Sequence, residues 1–324
     1  MDAKITAVVP VCNGAATLGR AIDSALSQTL AAAQIVVVDD GSTDETPTVL
    51  SKYRNRITVV RQKRSGPSAA RNAGVLASPP SEFVAFLDAD DAWHPDMLRV
   101  LADTLKGDRV AVLAYSDVDA VDESGRGLAV QVVPEECAFA PSLNDLLRQW
   151  WPILPSAAVL RRDAYEEVGG FHASFRAPGF EDPYLWMQMR EIGPFAYVNR
   201  RLATYCLPPA PARMEKYENG YKIFDQLVCD RYGVDGRRLI ANVRHAFISA
   251  WGFEGLKALN AGDKYAARRA FRCALRYNAF DMRTLLRWAR TFLPLRAALA
   301  LSGGYVTRAS SDSSLDGAAR GLYG

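Results

Sequence analysis

The stretch Phe83-Val84-Ala85-Phe86-Leu87, followed at once by Asp88-Ala89-Asp90-Asp91, restricts most what this chain can fold into. Five apolar residues in a row read as a strand buried on both faces, which requires a sheet covered by helices on both sides. Three carboxylates then crowd together where that strand should end. Clustered carboxylates repel one another unless a cation or a polar ligand compensates them. In an open parallel sheet, ligands bind outside the carboxyl ends of the strands. An Asp-x-Asp pair there suits a hard divalent cation, Mg²⁺ or Mn²⁺, that shares its oxygen ligands with substrate phosphates.

Other readings of the same stretch exist. A solvated loop of helix-capping acids is the plainest. A calcium loop of the EF-hand kind starting at Asp88 fails, because Trp93 stands where the turn glycine belongs and Arg99 where the bidentate Glu belongs. A phosphatase of the haloacid-dehalogenase type also sets Asp-x-Asp after an apolar strand. It typically has Thr or Val two residues after the second Asp, where this chain has Ala92.

The pattern of apolar run and acidic end recurs along the first third of the chain. Residues 5–10, 34–40, 57–60 and 83–87 read as four strands. Helical spacing separates them at 18–28, at 44–53 behind a Ser42/Glu45 capping box, and at 67–76 with Pro67 in the first turn. Trp93-His94-Pro95 opens a further helix to about residue 105. This alternation predicts a mostly parallel α/β sheet. Beyond it the spacing predicts a strand at 110–115, a hairpin over 118–133 turning at Glu123-Ser124-Gly125, and a helix at 143–151. A strand at 156–160, a turn at Gly169-Gly170, a helix that follows Gly179 to Pro183 and runs to about residue 191, and short strands at 195–198 and 202–205 come next. The proline-rich 208–214 reads as a linker, 215–301 as helical, and the Gly/Ser/Asp-rich 302–324 as a disordered tail.

Composition narrows the function classes. Lys and Arg number 39 against 36 Asp and Glu, a net +3 that gives no reason to expect a nucleic-acid partner. No apolar run is long enough for a transmembrane helix, and the N-terminus has no signal-peptide layout. The scattered Cys12, Cys137, Cys206, Cys229 and Cys273 read as reduced thiols of a cytoplasmic protein. His94, His172 and His245 lie far apart, which gives no zinc-site spacing.

The acidic strand ends, taken in order, resemble the large family-two group of inverting nucleotide-sugar glycosyltransferases. The matching residues are Val9-Pro10-Val11-Cys12-Asn13, Ser24-Ala25-Leu26-Ser27-Gln28-Thr29, Val38-Asp39-Asp40-Gly41-Ser42-Thr43-Asp44, Gly66 to Gly74, and Phe86 to Asp91. In the second half they are Gly169-Gly170-Phe171 and Glu181-Asp182-Pro183-Tyr184-Leu185-Trp186. The resemblance implies a Rossmann-like sheet of the glycosyltransferase-A type over 1–207, with a nucleotide-sugar half at 1–107 and an acceptor half at 108–207, followed by a C-terminal helical extension.

It also implies roles. Pro10, Val11 and Asn13 resemble the strand end that packs on base and ribose, and Asp40 the acid that accepts from a uracil N3–H. Capping is the alternative for Asp39 and Asp40. Arg71 resembles a basic residue of the nucleotide pocket, with a surface helix charge as its alternative. Asp88, Ala89 and Asp90 resemble the donor- and metal-binding motif, Asp90 as direct ligand of Mn²⁺ or Mg²⁺. Asp182, with Glu181 beside it, resembles the base that takes the acceptor proton. An N-cap followed by Pro183 at the first helical position is its alternative. Trp186 is a candidate for the acceptor site or for the core. The implied partners are a UDP-sugar donor and a glycan or lipid-linked acceptor at the cytoplasmic membrane face. Two departures stand out: Cys12 where the family often has Tyr, and Cys206-Leu207-Pro208 where it often has Arg-x-His.

In the C-terminal third, residues 255–279 resemble one tetratricopeptide-type hairpin, around Ala261-Gly262-Asp263. Arg268, Arg272 and Arg276 share a helical face, as do Arg283, Arg287 and Arg290. Such faces are either solvated or docked on anionic lipid. A non-catalytic interaction module built on these helices is the third overall reading, beside transferase and phosphatase.

Overall fold

Val- and Ile-rich runs with no charge inside them can be buried on both faces, and the chain stacks these runs first. The computed structural model describes residues 4–129, 132–133, 139–148, 153–176, 179–207 and 210–293, with no side chains described at 210–219, 246 and 250. The expected disordered tail, Cys137 and part of the expected hairpin lie outside the described residues.

Strands β1 (Ile5–Val11), β2 (Gln34–Asp39), β3 (Thr58–Arg61) and β4 (Phe83–Phe86) alternate with helices α1 (Leu18–Leu26), α2 (Thr46–Ser51) and α3 (Pro67–Leu76). The sheet continues through β5 (Ala92–Trp93), β6 (Leu113–Val121), β7 (Ala158–Arg161) and β8 (Phe195–Cys206), in the order β3-β2-β1-β4-β7-β6-β8-β5. Pairs β2–β3, β1–β2, β1–β4 and β6–β8 are parallel. Strand β7 runs antiparallel to both its neighbours, and β5 antiparallel to β8. Helices α4 (Met97–Gly107), α5 (Leu143–Arg148), α6 (Arg162–Glu167) and α7 (Glu181–Ile192) complete this part. The chain leaves β1 in one direction for β2 and returns on the other side for β4. This places a topological switch point, where such sheets bind ligands, between β1 and β4.

Several local expectations give way to long-range partners. The Ser42/Glu45 capping box does not form: Ser42 Oγ accepts from Asn13 N at 2.9 Å, and Glu45 takes the Thr48 hydroxyl. Trp93 is not in a helix, because it pairs with Ala203 as β5, and α4 begins only at Met97. The two short strands expected at 195–205 are the single strand β8, which pairs along β6 through register shifts at Asp117. The first arm of the expected hairpin is the end of β6, which turns at Asp122–Arg126.

By its contacts the chain divides into two units: Met1–Leu146 with Trp151–Leu227, and Leu147–Trp150 with Val228–Gly324. Helix α8 (Ala210–Asn260) starts inside the segment expected as a linker and has a non-helical residue at Gly233. In the second unit, Phe247 stacks on Tyr277 of α9 (Lys264–Tyr277) at 4.7 Å. Asp263 and Asp281 cap α9 and α10 (Met282–Arg290) by accepting from Ala266 N and Thr284 N. No helix among the described residues is long and apolar enough to cross a membrane.

Helix α3 crosses β1 and β2 so closely that a Cβ on Gly74 would lie 2.3 Å from Val8 Cγ1. Val8 is fully buried and β-branched, so it cannot swing away. Gly74→Ala gains roughly 1 kcal/mol of helix propensity but overpacks the layer at a cost of about 1–3 kcal/mol. A lower urea midpoint is expected; an unchanged or higher one would contradict the packing.

Candidate active site

The carboxyl ends of β1, β2 and β4 lie side by side, so the acids that follow them meet along one edge. The loop after β1 is held by the loop after β2. Asn13 N, Gly14 N and Ala15 N donate to Ser42 Oγ, Thr46 Oγ1 and Asp44 Oδ2, and Thr43 N donates to Asn13 Oδ1 at 2.8 Å. Pro10 is half-buried, Val11 buried, and Asn13 exposed in a left-handed conformation with φ 57°. Ala89 lies alongside Gly14.

Asp40 is buried, and its carboxylate gathers the loop between β3 and α3. It accepts from Gln62 Nε2 at 2.7 Å, Ser65 N at 2.7 Å and Gly66 N at 2.8 Å. Gly66 is the N-cap of α3, so Asp40 supplies an acceptor where that helix begins with unsatisfied N–H groups. A carboxylate has about four lone-pair sites, and these bonds occupy three of them among the described residues. Asp39 accepts from Ser42 N and faces Arg61.

The three acids after β4 have separate fates. Asp88 accepts from Arg71 Nη2 at 2.7 Å, and its backbone N–H donates to Ser156 Oγ. Asp90 is exposed, and its carbonyl accepts from Arg20. Asp91 is buried; one oxygen accepts from Cys206 N at 2.8 Å, and the other has no partner among the described residues. Burial, then the nearby Asp90 and Asp88, push the Asp91 carboxyl well above the usual range and favour its neutral form. Asp90 is thus the acid presented to solvent at the edge.

Arg71 joins this edge to the second half of the sheet. It sits in α3 and is only 3% exposed. Its Nη1 reaches Glu181 Oε1 at 3.3 Å and Asp182 Oδ1 at 3.4 Å, while Nη2 holds Asp88. Its guanidinium lies 4.9 Å from the Phe171 ring centroid. Burial alone would lower its pKa, but Asp88, Asp182 and Glu181 outweigh that and raise it. The neighbouring Asn72 clamps the Phe171 backbone from both sides, donating to its carbonyl at 2.8 Å and accepting from its N–H at 3.0 Å.

Glu181 and Asp182 are the first two residues of α7, behind Phe180, which holds φ at 69°. Asp182 is therefore not the N-cap. The Glu181 side chain is 3% exposed and divided between Arg71 and Gly179 N. That of Asp182 is 24% exposed, so it can meet a ligand. Trp186, a candidate for the acceptor site, is corrected to a core residue: it is 1% exposed, with its indole N–H donating to Ile153 O. Asn72, Ser156 and Arg20 complete the surroundings of the acids, and spacing alone gave no signal for the last two.

Removing Arg71 leaves Glu181 buried beside Asp182 without a counter-ion. Arg71→Met should cost about 3–5 kcal/mol. Arg71→Lys keeps a charge but not the fork that spans three carboxylates, and should fall in between. Urea midpoints check the order; a Met variant as stable as the wild type would contradict the bridge.

The model of the family described as Glycosyl transferase family 2 matches residues 6–169. The succinoglycan biosynthesis protein ExoW of Rhizobium meliloti (strain 1021) is 44% identical over 183 residues, 51% of this chain and 57% of that protein. ExoO of the same organism is 39% identical over 127 residues, 38% of this chain and 36% of that protein. The chain thus spans less than two thirds of the length of either. TarS 1-349 of S. aureus in complex with UDP-GlcNAc has a TM-score of 0.59 at 18% identity, covering 93% of this chain and 92% of that one. The mannosyltransferase PcManGT of Pyrobaculum calidifontis, in complex with GDP-Man and Mn²⁺, has a TM-score of 0.62 at 17% identity, covering 99% and 85%. These two likenesses give the glycosyltransferase-A fold. The family match covers both acidic edges of the nucleotide half. This chain belongs to glycosyl transferase family 2.

Proposed function

We propose that the protein moves a hexosyl group from a UDP-sugar to a hydroxyl of a glycan or lipid-linked saccharide, with inversion. The observation that carries this reading is the single Arg71 guanidinium within reach of both Asp88 at the donor edge and Asp182 on the acceptor side. An inverting transfer is one displacement, so the donor's anomeric carbon and the acceptor's hydroxyl must meet between two such groups. Asp182 accepts the hydroxyl proton. Its partly open carboxylate suits that task, whereas the buried Glu181 anchors the start of α7. Pro10, Val11 and Asn13 flank the base and ribose, and Asp40 offers its remaining lone pair to the uracil N3–H. ExoW and ExoO, named for succinoglycan biosynthesis, and TarS, solved with UDP-GlcNAc, support a saccharide acceptor and a UDP-sugar donor.

The donor set fits a divalent cation that brings most of its own ligands. No group of three or more potential ligands occurs among the described residues, while Asp90 is exposed at the edge and Asp88 lies next to it. Asp90, with Asp88 beside it, would hold Mn²⁺ or Mg²⁺. Such an ion, when bound, would supply positive charge against the departing diphosphate.

Asp182→Asn removes the base and keeps the shape. Transfer should drop by about 10²- to 10⁴-fold, with UDP-sugar affinity near the wild-type value. Asp90→Ala should instead weaken the Mn²⁺-dependent binding of the donor. Calorimetry and initial rates on both variants check the division of roles. Turnover near the wild-type level in Asp182→Asn would end the base assignment, and equal donor binding with Mn²⁺ or EDTA would end the metal assignment.

A further partner in this reading is an anionic membrane surface at the cytoplasmic face. Met282 and Leu286, one turn apart on α10, are 63% and 53% exposed, and Phe280 before them is 86% exposed. Arg283, Arg287 and Arg290 line the adjacent strip of the helix. Arg268 is outside this set: it donates to Thr291 O at 3.0 Å and stacks on Phe292. An apolar stripe beside a basic strip is the composition of a helix lying in a lipid interface. Co-sedimentation with phosphatidylserine vesicles should fall with added salt and be lost in Leu286→Asp. Absent or salt-insensitive association would leave a packed, solvated appendage.

A further inference from the structure

Two consecutive residues, Gly179 at φ 116° and Phe180 at φ 69°, turn the chain into α7 through left-handed backbone. A phenylalanine pays for that conformation with strain, so something outside the turn must hold it. The N-cap of α7 gives no side-chain bond that could do so. The first part of α8 does. Phe180 is 1% exposed, with its ring stacked on Phe224 at 4.7 Å and set edge-on to Tyr221 at 6.1 Å. Helix and turn approach so closely that a Cβ on Gly220 would fall 1.7 Å from Gly179 O. Gly220, Tyr221 and Phe224 all belong to the unit that carries the acids. They also lie more than fifty positions beyond the end of the family match at residue 169.

The turn in question is the one that aims the acids. Gly179 N donates to Glu181 Oε2, Glu181 Oε1 meets Arg71, and Asp182 follows directly. A shift of Phe180 would be passed to Asp182 through three bonded residues, with no side-chain cap to absorb it.

We infer that the start of α8 is a positioning element for the acceptor base, with Gly220 and Phe224 acting through Phe180 to hold Asp182 in line. Neither residue touches the reacting atoms. Gly220 is needed because only a residue without a side chain lets the helix lie against the Gly179 carbonyl. Phe224 is needed because its ring stacks on that of Phe180 and so keeps the left-handed turn closed. The inference rests on the reading of Asp182 as the base.

The test uses the full chain. The variants are Gly220→Ala, Phe224→Ala, Phe224→Leu, Phe180→Ala, the Phe180→Ala/Phe224→Ala pair and Asp182→Asn. Phe247→Ala serves as the control, since it removes an equally buried ring from α8 that stacks on Tyr277. Each is checked for folding by circular dichroism. The readouts are kcat and KM for UDP release from a UDP-sugar that the wild type turns over, and the affinity for UDP with Mn²⁺ by calorimetry. A displacement of about 1 Å at a reacting group costs on the order of 10²-fold. Gly220→Ala and Phe224→Ala should therefore lose roughly 10- to 100-fold in kcat, with UDP affinity unchanged and Phe224→Leu in between. Residues acting as one unit are not additive, so the pair should lose no more than either single change. Phe247→Ala should lose stability and keep kcat. Folded Gly220→Ala and Phe224→Ala proteins with wild-type kcat would overturn the inference, as would a parallel loss of UDP affinity. If Asp182→Asn itself kept wild-type kcat, the base reading would have failed, and the positioning claim with it; loss in Asp182→Asn alone would sink only the positioning claim.

Discussion

A guanidinium in a site that is 3% exposed is costly unless its charge is matched, and Arg71 is matched three times over. The bridge from Asp88 to Glu181 and Asp182 ties residues that are 17, 110 and 111 positions from Arg71 in sequence. Without that tie the two halves of the sheet would present their acids to each other across a gap, and mutual repulsion would open it. One guanidinium against three carboxylates still leaves an excess of negative charge. That excess, with Asp90 exposed beside it, is a setting in which a divalent cation is welcome, and where an anionic diphosphate needs one.

The rest of the architecture serves this bridge. Asp40 does so from a distance: by accepting from Ser65 N and Gly66 N it fixes where α3 begins, and Arg71 follows just over one turn later. Asn72 locks the next residue onto Phe171, whose ring lies under the Arg71 guanidinium. Asp91, buried and held toward its neutral form, draws the end of β8 against the acidic loop through Cys206 N. The chain departs from the Arg-x-His pattern at this very point, so the backbone is fastened there even though those side chains are absent.

The strands and their acidic ends were legible because burial on both faces leaves an unbroken apolar run, and β1, β2, β3 and β4 fall where that pattern puts them. The partners of those acids were not. Ser42 and Glu45 satisfy the spacing of a capping box, yet the Ser42 hydroxyl is claimed by Asn13, 29 positions away. Trp93-His94-Pro95 looks like a helix start, yet Trp93 completes a two-residue edge strand with Ala203. Asp182-Pro183 looks like a cap and first turn, yet α7 begins at Glu181, two residues before Pro183, with a left-handed Phe180 as its N-cap. In each case a contact distant in sequence outcompetes a sound local signal. Arg71 is the extreme case: the resemblance sets it in the nucleotide pocket, and in the fold it also reaches Glu181 and Asp182, 110 and 111 positions away. The proline-rich segment around residue 210 misled in the opposite direction, because α8 begins at Ala210 and its first part belongs with the acids.

A crystal structure with UDP and Mn²⁺ bound, recorded at a wavelength where manganese scatters anomalously, tests the central claim most directly. The account predicts an anomalous peak in contact with the Asp90 carboxylate, the diphosphate on the same ion, and Arg71 still spanning Asp88, Glu181 and Asp182. An Arg71 swung away from Glu181 and Asp182, or a manganese peak remote from Asp90, would contradict it.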